Sequence, residues 1–351
     1  MASPAERPKS RLLRTLAGEA MAPPPIWLMR QAGRYLPEYR AVRAKTGGFL
    51  ELCYAPALAA EVTLQPIRRS GFDAAILFSD ILVVPDALGQ RVDFVEGEGP
   101  RLEPIRSEAD HGRLDGRATR TKFASVCETV ARLRQDLPRE TSLIGFCGAP
   151  WTVATYVVGG QGSTDQREAR LWAYRDRAGF ARLIDILVEA SIDYLSMQVA
   201  AGADVLQIFD TWAGSLPSGE FEAWVVAPTR RMVREVRARH PDVPIIGFPR
   251  GAGQKIEGYV AKTGVQGVGC DTGMGVGHME ALARTSGVVV QGNLDPVVLL
   301  AGGQELERQA NALVRGLAGV PHIFNLGHGI LPETLVENVA RLVEVVRRGC
   351  V

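Results

Sequence analysis

Short runs of aliphatic and β-branched residues recur along the chain, and stretches with apolar residues at helical spacing separate most of them. Several runs, such as residues 74–78 and 288–290, are apolar at every position, which is typical of strands buried on both faces of a parallel sheet. The pattern predicts eight strands, at residues 25–30, 74–80, 142–148, 205–211, 243–249, 265–272, 288–295 and 322–328.

The stretches between these runs predict helices with one apolar face. The last of them begins with Pro332 in its first turn, places Val339, Leu342 and Val346 on one face, and ends before Gly349. Because strands and helices alternate without a linker or a change in composition, the prediction is an α/β fold, a single (β/α)8 TIM barrel over residues 1–351. Further helices are expected at about 165–202, 219–240 and 303–316.

Residues 83–107 interrupt the alternation of strands and helices. Glycines and prolines surround the alternating apolar residues Val92, Phe94 and Val95, so we predict a β-hairpin insertion after the second strand. Residues 1–10 precede the first predicted element and are expected to be disordered.

Composition excludes several classes of protein. A formal net charge of +1 argues against an extended basic surface, so no nucleic-acid partner is expected. No window holds about 18 uncharged apolar residues, and the basic N-terminus is not followed by an apolar segment, so neither a membrane span nor an export signal is expected. The 5 cysteines are widely spaced without a zinc or disulfide pattern, which indicates reduced thiols in a cytoplasmic protein.

Polar residues cluster where the predicted strands end, and the active site of such a barrel lies at the carboxyl ends of its strands. Arg30 and Arg34 flank Gly33 after the first strand. Guanidinium groups bind carboxylates through paired hydrogen bonds, so this spacing suits a carboxylate-rich ligand. A surface helix that starts with solvated arginines has the same spacing, and the pattern alone leaves both interpretations open. The other polar residues at strand ends are Ser79, Asp80, Asp210, Thr211, Arg250, Asp271, Asn293, Asp295, Asn325 and His328.

Each of these positions also has a plain structural interpretation. Asp80 lies among apolar residues and either accepts hydrogen bonds from loop amides or provides a negative charge for a cationic species. His328 lies between two glycines. It is either a hydrogen-bonded loop residue or a residue that contacts a ligand. Tyr156 and Thr211 taken alone fit a core or capping role equally well. The glycine-rich segment 159–163 lacks the ending of a phosphate-binding loop and is predicted to be a mobile lid.

Some chemistries are disfavoured by what the strand ends lack. No lysine falls on a predicted strand end, which removes a Schiff-base mechanism. The aspartates there show no metal-ligand spacing, so no metal site is predicted.

Six separated segments carry a joint signal, namely residues 29–40, 78–85, 148–152, 209–214, 248–253 and 325–330. Together they resemble the uroporphyrinogen decarboxylase family. The resemblance implies a (β/α)8 barrel, commonly a homodimer, that needs no metal or organic cofactor. It implies decarboxylation of the four acetate side chains of uroporphyrinogen III, a polycarboxylate tetrapyrrole, to give coproporphyrinogen III.

The same resemblance implies roles for individual residues. Arg30 and Arg34 hold substrate carboxylates, and Asp80 stabilises the transition state at the pyrrole nitrogens. The proton donor stays open between Arg30 and water relayed through His328 or Tyr156. Family members often have serine where this chain has Thr211, and the hydroxyl is kept. The predicted substrate contacts are Arg30, Gln31, Ala32, Gly33, Arg34, Asp80, Tyr156, Thr211 and His328, with Arg43 and Arg250 as secondary candidates.

Two alternatives remain at the level of sequence. One is a zinc-dependent, corrinoid-linked methyltransferase on the same barrel, although the chain has no His-x-Cys signature for a zinc thiolate. The other is a non-catalytic tetrapyrrole carrier, which would keep the arginines and have no need for Asp80.

Overall fold

The computed structural model describes residues 10–95 and 99–349. The predicted disorder of residues 1–10 concerns mainly residues outside this part of the chain. Ser10 is described, and its hydroxyl caps the first helix by accepting a hydrogen bond from the Leu13 amide at 3.3 Å.

The described strands are β1 (Ala74–Ile76), β2 (Val92–Val95), β3 (Gly99–Leu102), β4 (Ser142–Gly148), β5 (Val205–Asp210), β6 (Ile245–Pro249), β7 (Gly267–Gly269), β8 (Val289–Gln291) and β9 (His322–Ile323). The described helices are α1 (Arg11–Leu16), α2 (Pro37–Arg43), α3 (Phe49–Cys53), α4 (Pro56–Ser70), α5 (Val83–Ala87), α6 (Thr119–Asp136), α7 (Pro150–Gly159), α8 (Arg167–Arg175), α9 (Arg177–Ala201), α10 (Ser218–Phe221), α11 (Ala227–Arg239), α12 (Ile256–Thr263), α13 (Val276–Ser286), α14 (Pro296–Ala301), α15 (Gly303–Gly316) and α16 (Val336–Arg348).

In the described chain, seven strands form one parallel sheet in the order β1-β4-β5-β6-β7-β8-β9. The sheet is curled and helices pack around it, so the fold is an α/β, TIM-barrel-like fold. Seven of the predicted strands are therefore present, most of them with shorter ends. The predicted strand at 265–272, for example, is reduced to Gly267–Gly269.

Residues 25–30 do not form a regular strand, contrary to the prediction. Ile26 alone pairs with the sheet, through a parallel bridge to Phe324 just after β9. On its other side, the Ile26 carbonyl accepts a hydrogen bond from the Asp73 amide at 2.9 Å, just before β1. Ile26 thus lies between the two edges of the seven-stranded sheet.

The interior of the sheet contains a buried polar chain. The Trp27 indole donates to Gln291 at 3.0 Å, and the Gln291 amide donates to Gln207 at 3.1 Å. Gln207 lies on β5 and Gln291 on β8, so this chain spans the inside of the curled sheet. These hydrogen bonds connect the segment around Ile26 to strands on the opposite side.

The prediction for residues 83–107 is not confirmed as a single hairpin. Residues Val83–Ala87 form helix α5, because Leu82, Val83 and Val84 are buried and continue the apolar run after β1. Strands β2 and β3 follow and pair in antiparallel register. The turn between them, residues 96–98, lies outside the described residues.

Two helix predictions also differ in their bounds. The stretch at 165–202 is divided into α8 and α9 at Asp176, whose carboxylate caps α9 by accepting a hydrogen bond from the Gly179 amide at 2.9 Å. The last helix begins at Val336 rather than at Pro332, and the preceding Leu335 is 59 % exposed. Cys53, Cys127, Cys147 and Cys270 are buried and unpaired, and Cys350 lies outside the described residues.

A glutamine from α9 replaces backbone hydrogen bonds that β1 does not make with β4. The β1–β4 register ends at Ile76 and Ile144, so Phe146 on β4 has no strand partner on that side. Gln198 is fully buried. Its side chain accepts a hydrogen bond from the Phe146 amide at 2.8 Å and donates one to the Phe146 carbonyl at 3.0 Å. The sheet therefore opens next to the segment that leaves β1, and α9 supplies both hydrogen bonds.

Replacing Gln198 by leucine is expected to lower the free energy of unfolding by about 3 kcal/mol, because two buried backbone groups lose their partners. Denaturant unfolding measures the change. Gln304→Leu on the exposed face of α15 is the matched control and should leave the unfolding free energy within about 0.5 kcal/mol of wild type. Equal stability of both variants would contradict this role for Gln198.

Candidate active site

The segment from Met29 to Arg34 crosses the carboxyl end of the sheet. Arg30 adopts a left-handed backbone conformation with φ of 61°, which is uncommon for a residue other than glycine. Gly33 follows closely, and a Cβ atom there would lie only 3.0 Å from the Arg30 carbonyl oxygen. Ala32 and Gly33 are half-buried, whereas Arg30 and Arg34 are exposed. The turn therefore presents both guanidinium groups on the same short segment.

Gln31 supports this turn from below. Its side chain is fully buried, accepts a hydrogen bond from the Leu28 amide at 3.1 Å and donates one to the Ala74 carbonyl at 3.1 Å. Its carbonyl accepts a hydrogen bond from the Tyr35 hydroxyl at 2.9 Å. The predicted contact between Gln31 and a ligand stays a prediction, since its side chain is engaged within the protein.

Asp80 follows β1 at the point where the chain leaves the sheet. Its carboxylate is partly buried and accepts a hydrogen bond from the Leu82 amide at 2.8 Å. Burial raises the pKa of Asp80 to about 6, while the Leu82 hydrogen bond and the Arg30 charge oppose that rise. At neutral pH, Asp80 is therefore a desolvated negative charge near Arg30. The preceding Ser79 hydroxyl is hydrogen-bonded to Tyr194 of α9 at 3.2 Å.

Tyr156 on α7 faces the same region. Burial raises its pKa, the Trp212 side chain lowers it through a hydrogen bond, and the Asp80 charge raises it again. Thr211 lies next to Trp212 and is half-buried, without a hydrogen bond to another described residue. Thr152 fixes the turn that carries Thr211 and Trp212. Its hydroxyl accepts a hydrogen bond from the Trp212 amide at 3.0 Å and donates one to the Asp210 carboxylate at 2.5 Å.

His328 lies on the opposite side of the site. Burial and, to a lesser extent, the nearby Arg30 and Arg250 charges together lower its pKa to about 4, against the opposing effect of Asp271. The imidazole is therefore neutral at neutral pH. Asp271 does not pair with Arg250 but accepts hydrogen bonds from the Gly251 and Gly273 amides, at 2.6 and 2.8 Å.

Three unpaired arginines lie at this end of the sheet. Arg30, Arg34 and Arg250 make no hydrogen bond and no ion pair through their side chains with any residue in 10–95 or 99–349. By contrast, the Arg43 guanidinium donates to Thr46 at 3.2 Å. Arg30 lies near the partly buried Asp80 carboxylate and, together with Arg250, near the neutral His328, while Arg34 follows Arg30 on the same turn. This combination suits a ligand with several carboxylates and a cationic or N–H-rich centre.

The glycine-rich segment is partly fixed. Gly160 accepts a hydrogen bond through its carbonyl from the Leu102 amide at 2.8 Å, and a Cβ atom there would lie 2.8 Å from Pro104. A Cβ atom on Gly162 would lie 3.8 Å from the Tyr156 ring. The segment thus lies beside Tyr156, and its movement as a lid stays a prediction.

Sequence reasoning did not give a role to the residues that hold the arginine turn. The Met29 amide donates to the Asn325 side chain at 2.9 Å, and the Met29 carbonyl accepts from the Ile330 amide at 2.9 Å. Asn325 also accepts from the Leu326 amide at 2.8 Å. The sequence points to Asn325 only through its polar side chain at an apolar strand end and its place in the segment 325–330.

Within the described residues, no group of three or more His, Cys, Asp or Glu side chains is arranged to hold a metal ion. The helices in that same part of the chain are too short or too polar to cross a membrane.

Comparison with known proteins decides the family. The family model described as uroporphyrinogen decarboxylase (URO-D) matches residues 7–349. The chain belongs to the uroporphyrinogen decarboxylase family. Proteins named uroporphyrinogen decarboxylase from Mesorhizobium japonicum and Rhizorhabdus wittichii are 55 % and 54 % identical to it. The first match covers 97 % of this chain and 98 % of the relative, and the second covers 96 % and 97 %.

Solved structures support the fold of this family member. A methyltransferase from Methanosarcina mazei matches with a TM-score of 0.75 and 21 % identity, over 96 % of this chain and 97 % of that one. A B12-independent methionine synthase from a Shewanella species matches with a TM-score of 0.55 and 11 % identity, over 85 % and 89 %. At these identities, the likeness concerns the fold alone.

Proposed function

We propose that the chain is a uroporphyrinogen decarboxylase, a carboxy-lyase that converts the four acetate side chains of uroporphyrinogen III to methyl groups and yields coproporphyrinogen III. The observation that supports this most directly is the partly buried, ionised Asp80 among the unpaired Arg30, Arg34 and Arg250. Uroporphyrinogen carries pyrrole N–H groups at its centre and carboxylates around its rim. The charges of the site match that arrangement.

Asp80 acts on the cationic intermediate. Loss of carbon dioxide from a pyrrole acetate needs an electron sink, and protonation of the ring at the carbon next to nitrogen provides one. The Asp80 carboxylate then faces the N–H groups of a positively charged ring. It stabilises that charge more than it stabilises the neutral pyrrole, and this difference lowers the barrier. As carbon dioxide leaves, the electrons of the broken C–C bond move into the ring and give an exocyclic methylene. That carbon takes up a proton to become methyl, and the ring carbon releases the proton that it had gained.

The arginines and the neutral groups have different tasks. Arg30, Arg34 and Arg250 hold rim carboxylates by charge-assisted hydrogen bonds and fix the acetate that reacts. Arg30 and Tyr156 are poor acids at neutral pH, since a guanidinium group keeps its charge throughout the physiological range and burial raises the pKa of Tyr156. We therefore assign proton delivery to water held by Tyr156 and His328, with Ala32 and Gly33 lining the pocket and Thr211 contacting the substrate.

Three finer features belong to the same proposal. We propose that residues 25–30 close the sheet as the eighth element of a (β/α)8 barrel, which the bridge between Ile26 and Phe324 supports. We propose a homodimer, supported by the exposed Val297 and Leu335 side chains on neighbouring helical segments. The buried, unpaired cysteines support a cytoplasmic location.

Anaerobic incubation of the purified protein with uroporphyrinogen III tests the reaction. Separation of the products by carboxylate number should show seven-, six-, five- and finally four-carboxylate species without an added cofactor. Unchanged substrate that nevertheless binds would favour the non-catalytic carrier. Stoichiometric zinc with no decarboxylation would favour the methyltransferase, which the family match and the relatives' names do not support.

The pH dependence of kcat/KM should follow the ionisation of the Asp80 carboxyl group. Its pKa of about 6 lies above its ordinary value, so the carboxylate gains a proton and loses its charge as the pH falls through 6. We expect kcat/KM to decrease below pH 6 and to be level above it, while His328, with a pKa of about 4, stays neutral throughout. Steady-state rates from pH 5 to 8 measure this.

Asp210 is the control for that profile, because burial raises its pKa to about 7 although it lies behind the pocket and bonds to Thr152. Asp210→Asn keeps an oxygen that accepts from Thr152, so the decrease below pH 6 should persist. Loss of that decrease in Asp210→Asn would assign it to Asp210 and contradict the role of Asp80.

A further inference from the structure

We propose that Asn325 and Gly329 are positioning residues for Arg30, which they hold in its left-handed conformation with its side chain directed across the site. The proposal rests on the proposed function, in which Arg30 binds a substrate carboxylate. Neither residue was given a role by the sequence motifs, and each acts on Arg30 in a different way.

Asn325 fixes the peptide before Arg30. Its side-chain oxygen accepts hydrogen bonds from the Met29 and Leu326 amides, at 2.9 and 2.8 Å, and the residue is fully buried. Both partners of this oxygen are N–H donors, so the orientation of the amide is determined. Asn325 thereby joins the segment after β9 to the residue that precedes Arg30.

The same segment contacts Met29 a second time. The Ile330 amide donates to the Met29 carbonyl at 2.9 Å, so both polar groups of the Met29 backbone are held by residues 325–330. Arg30, which has the left-handed conformation, therefore follows directly after a residue whose backbone is held on both sides. A non-glycine residue is held in that conformation only when its surroundings determine it, and such residues concentrate at functional sites.

Gly329 determines where the Arg30 side chain lies. A Cβ atom at position 329 would overlap the Arg30 Cδ atom and would lie 2.7 Å from its Cγ and 2.9 Å from its Nε. The Arg30 side chain therefore lies flat against the Gly329 backbone, in space that any other residue would occupy. Since Gly329 has no positive φ, alanine fits its backbone, and the three atoms nearest to the added Cβ all belong to Arg30.

The decisive experiment is a double-mutant cycle between each of these residues and Arg30. Asn325→Leu and Gly329→Ala should each lower kcat/KM about 100-fold, since a displaced catalytic group loses activity on this scale. In an Arg30→Ala background, each should lower kcat/KM no further, and each single variant should show the same division between KM and kcat as Arg30→Ala. Gly329→Ala should keep the wild-type melting temperature, so it tests the proposal even if Asn325→Leu folds poorly.

Asn338→Leu is the matched control. Asn338 also bridges separate segments, by donating to the Leu299 and Leu300 carbonyls at 3.0 and 3.1 Å, and it lies on α16, away from Arg30. Its substitution should lower the melting temperature and leave kcat/KM at the wild-type value. Losses of Asn325→Leu and Gly329→Ala that add to that of Arg30→Ala would overturn the proposal. An Arg30→Ala variant with wild-type kinetics would instead contradict the proposed function.

Discussion

Replacing Asp80 by asparagine should lower kcat about 100- to 1000-fold, which is the loss found when one preorganised charge stabiliser is removed. Asparagine keeps the size of the side chain and its acceptor for the Leu82 amide. It removes only the negative charge that faces the protonated pyrrole. Single-turnover decarboxylation under anaerobic conditions measures the chemical step, and a fluorescence titration with substrate should show nearly unchanged affinity.

The same variant has an expected effect on stability that works in the opposite direction. The pKa of Asp80 is raised to about 6, so the folded state disfavours its ionised form and loses stability as the pH rises from about 4 to 6. The Asp80→Asn protein should therefore melt at a higher temperature than wild type at pH 8, and at the same temperature below pH 4. A slower enzyme that is also less stable at pH 8 would indicate general damage rather than loss of a catalytic charge.

Removing the Arg30 guanidinium should lower kcat/KM on the order of 100-fold. A hydrogen bond to a charged group contributes about 1.5–3 kcal/mol, and a guanidinium forms two of them with one carboxylate. The low end of this range, about 3 kcal/mol for both bonds, corresponds to a loss on the order of 100-fold. Because Arg30 is exposed and makes no ion pair or hydrogen bond through its side chain with another described residue, Arg30→Ala should leave the melting temperature unchanged. Steady-state kinetics and thermal melting of the same preparation provide both measurements.

Arg139→Ala is the control for charge alone, since Arg139 is exposed in the connection between α6 and β4. It removes one positive charge from the protein at a distance from the strand ends, and kcat/KM should stay at the wild-type value. If both variants lost activity equally, the general electrostatic attraction of a polyanionic substrate would explain the result, and a specific contact at Arg30 would not.

The hydrophobic pattern was sufficient for the main elements of the fold. Continuous apolar runs at β4, β5 and β6 gave strands close to their observed bounds, and the prediction at 303–316 coincides with α15. Residues 25–30 are also mostly apolar but pair through Ile26 alone, and the segment ends at Arg30 in a left-handed conformation. Such a turn at a non-glycine residue leaves no mark in the hydrophobic pattern.

The candidate site was predictable to a similar extent. Parallel strands that end together bring Arg30, Asp80 and His328 to one edge, and this follows from the order of the elements. The pKa of His328 and the engagement of Gln31 within the protein were not predictable, since they depend on burial and on partners distant in sequence. The role of Asn325 was hidden for the same reason, because its partner Met29 lies near the other end of the chain.

Helix α9 braces the gap beside β1 from the outside, through Gln198 at Phe146 and Tyr194 at Ser79. The wall nearest Asp80 is therefore held in place by side chains of a helix that packs against the sheet. A protein engineer who enlarges the pocket for a bulkier macrocycle must keep these two side chains, or redesign them together with the residues around Asp80.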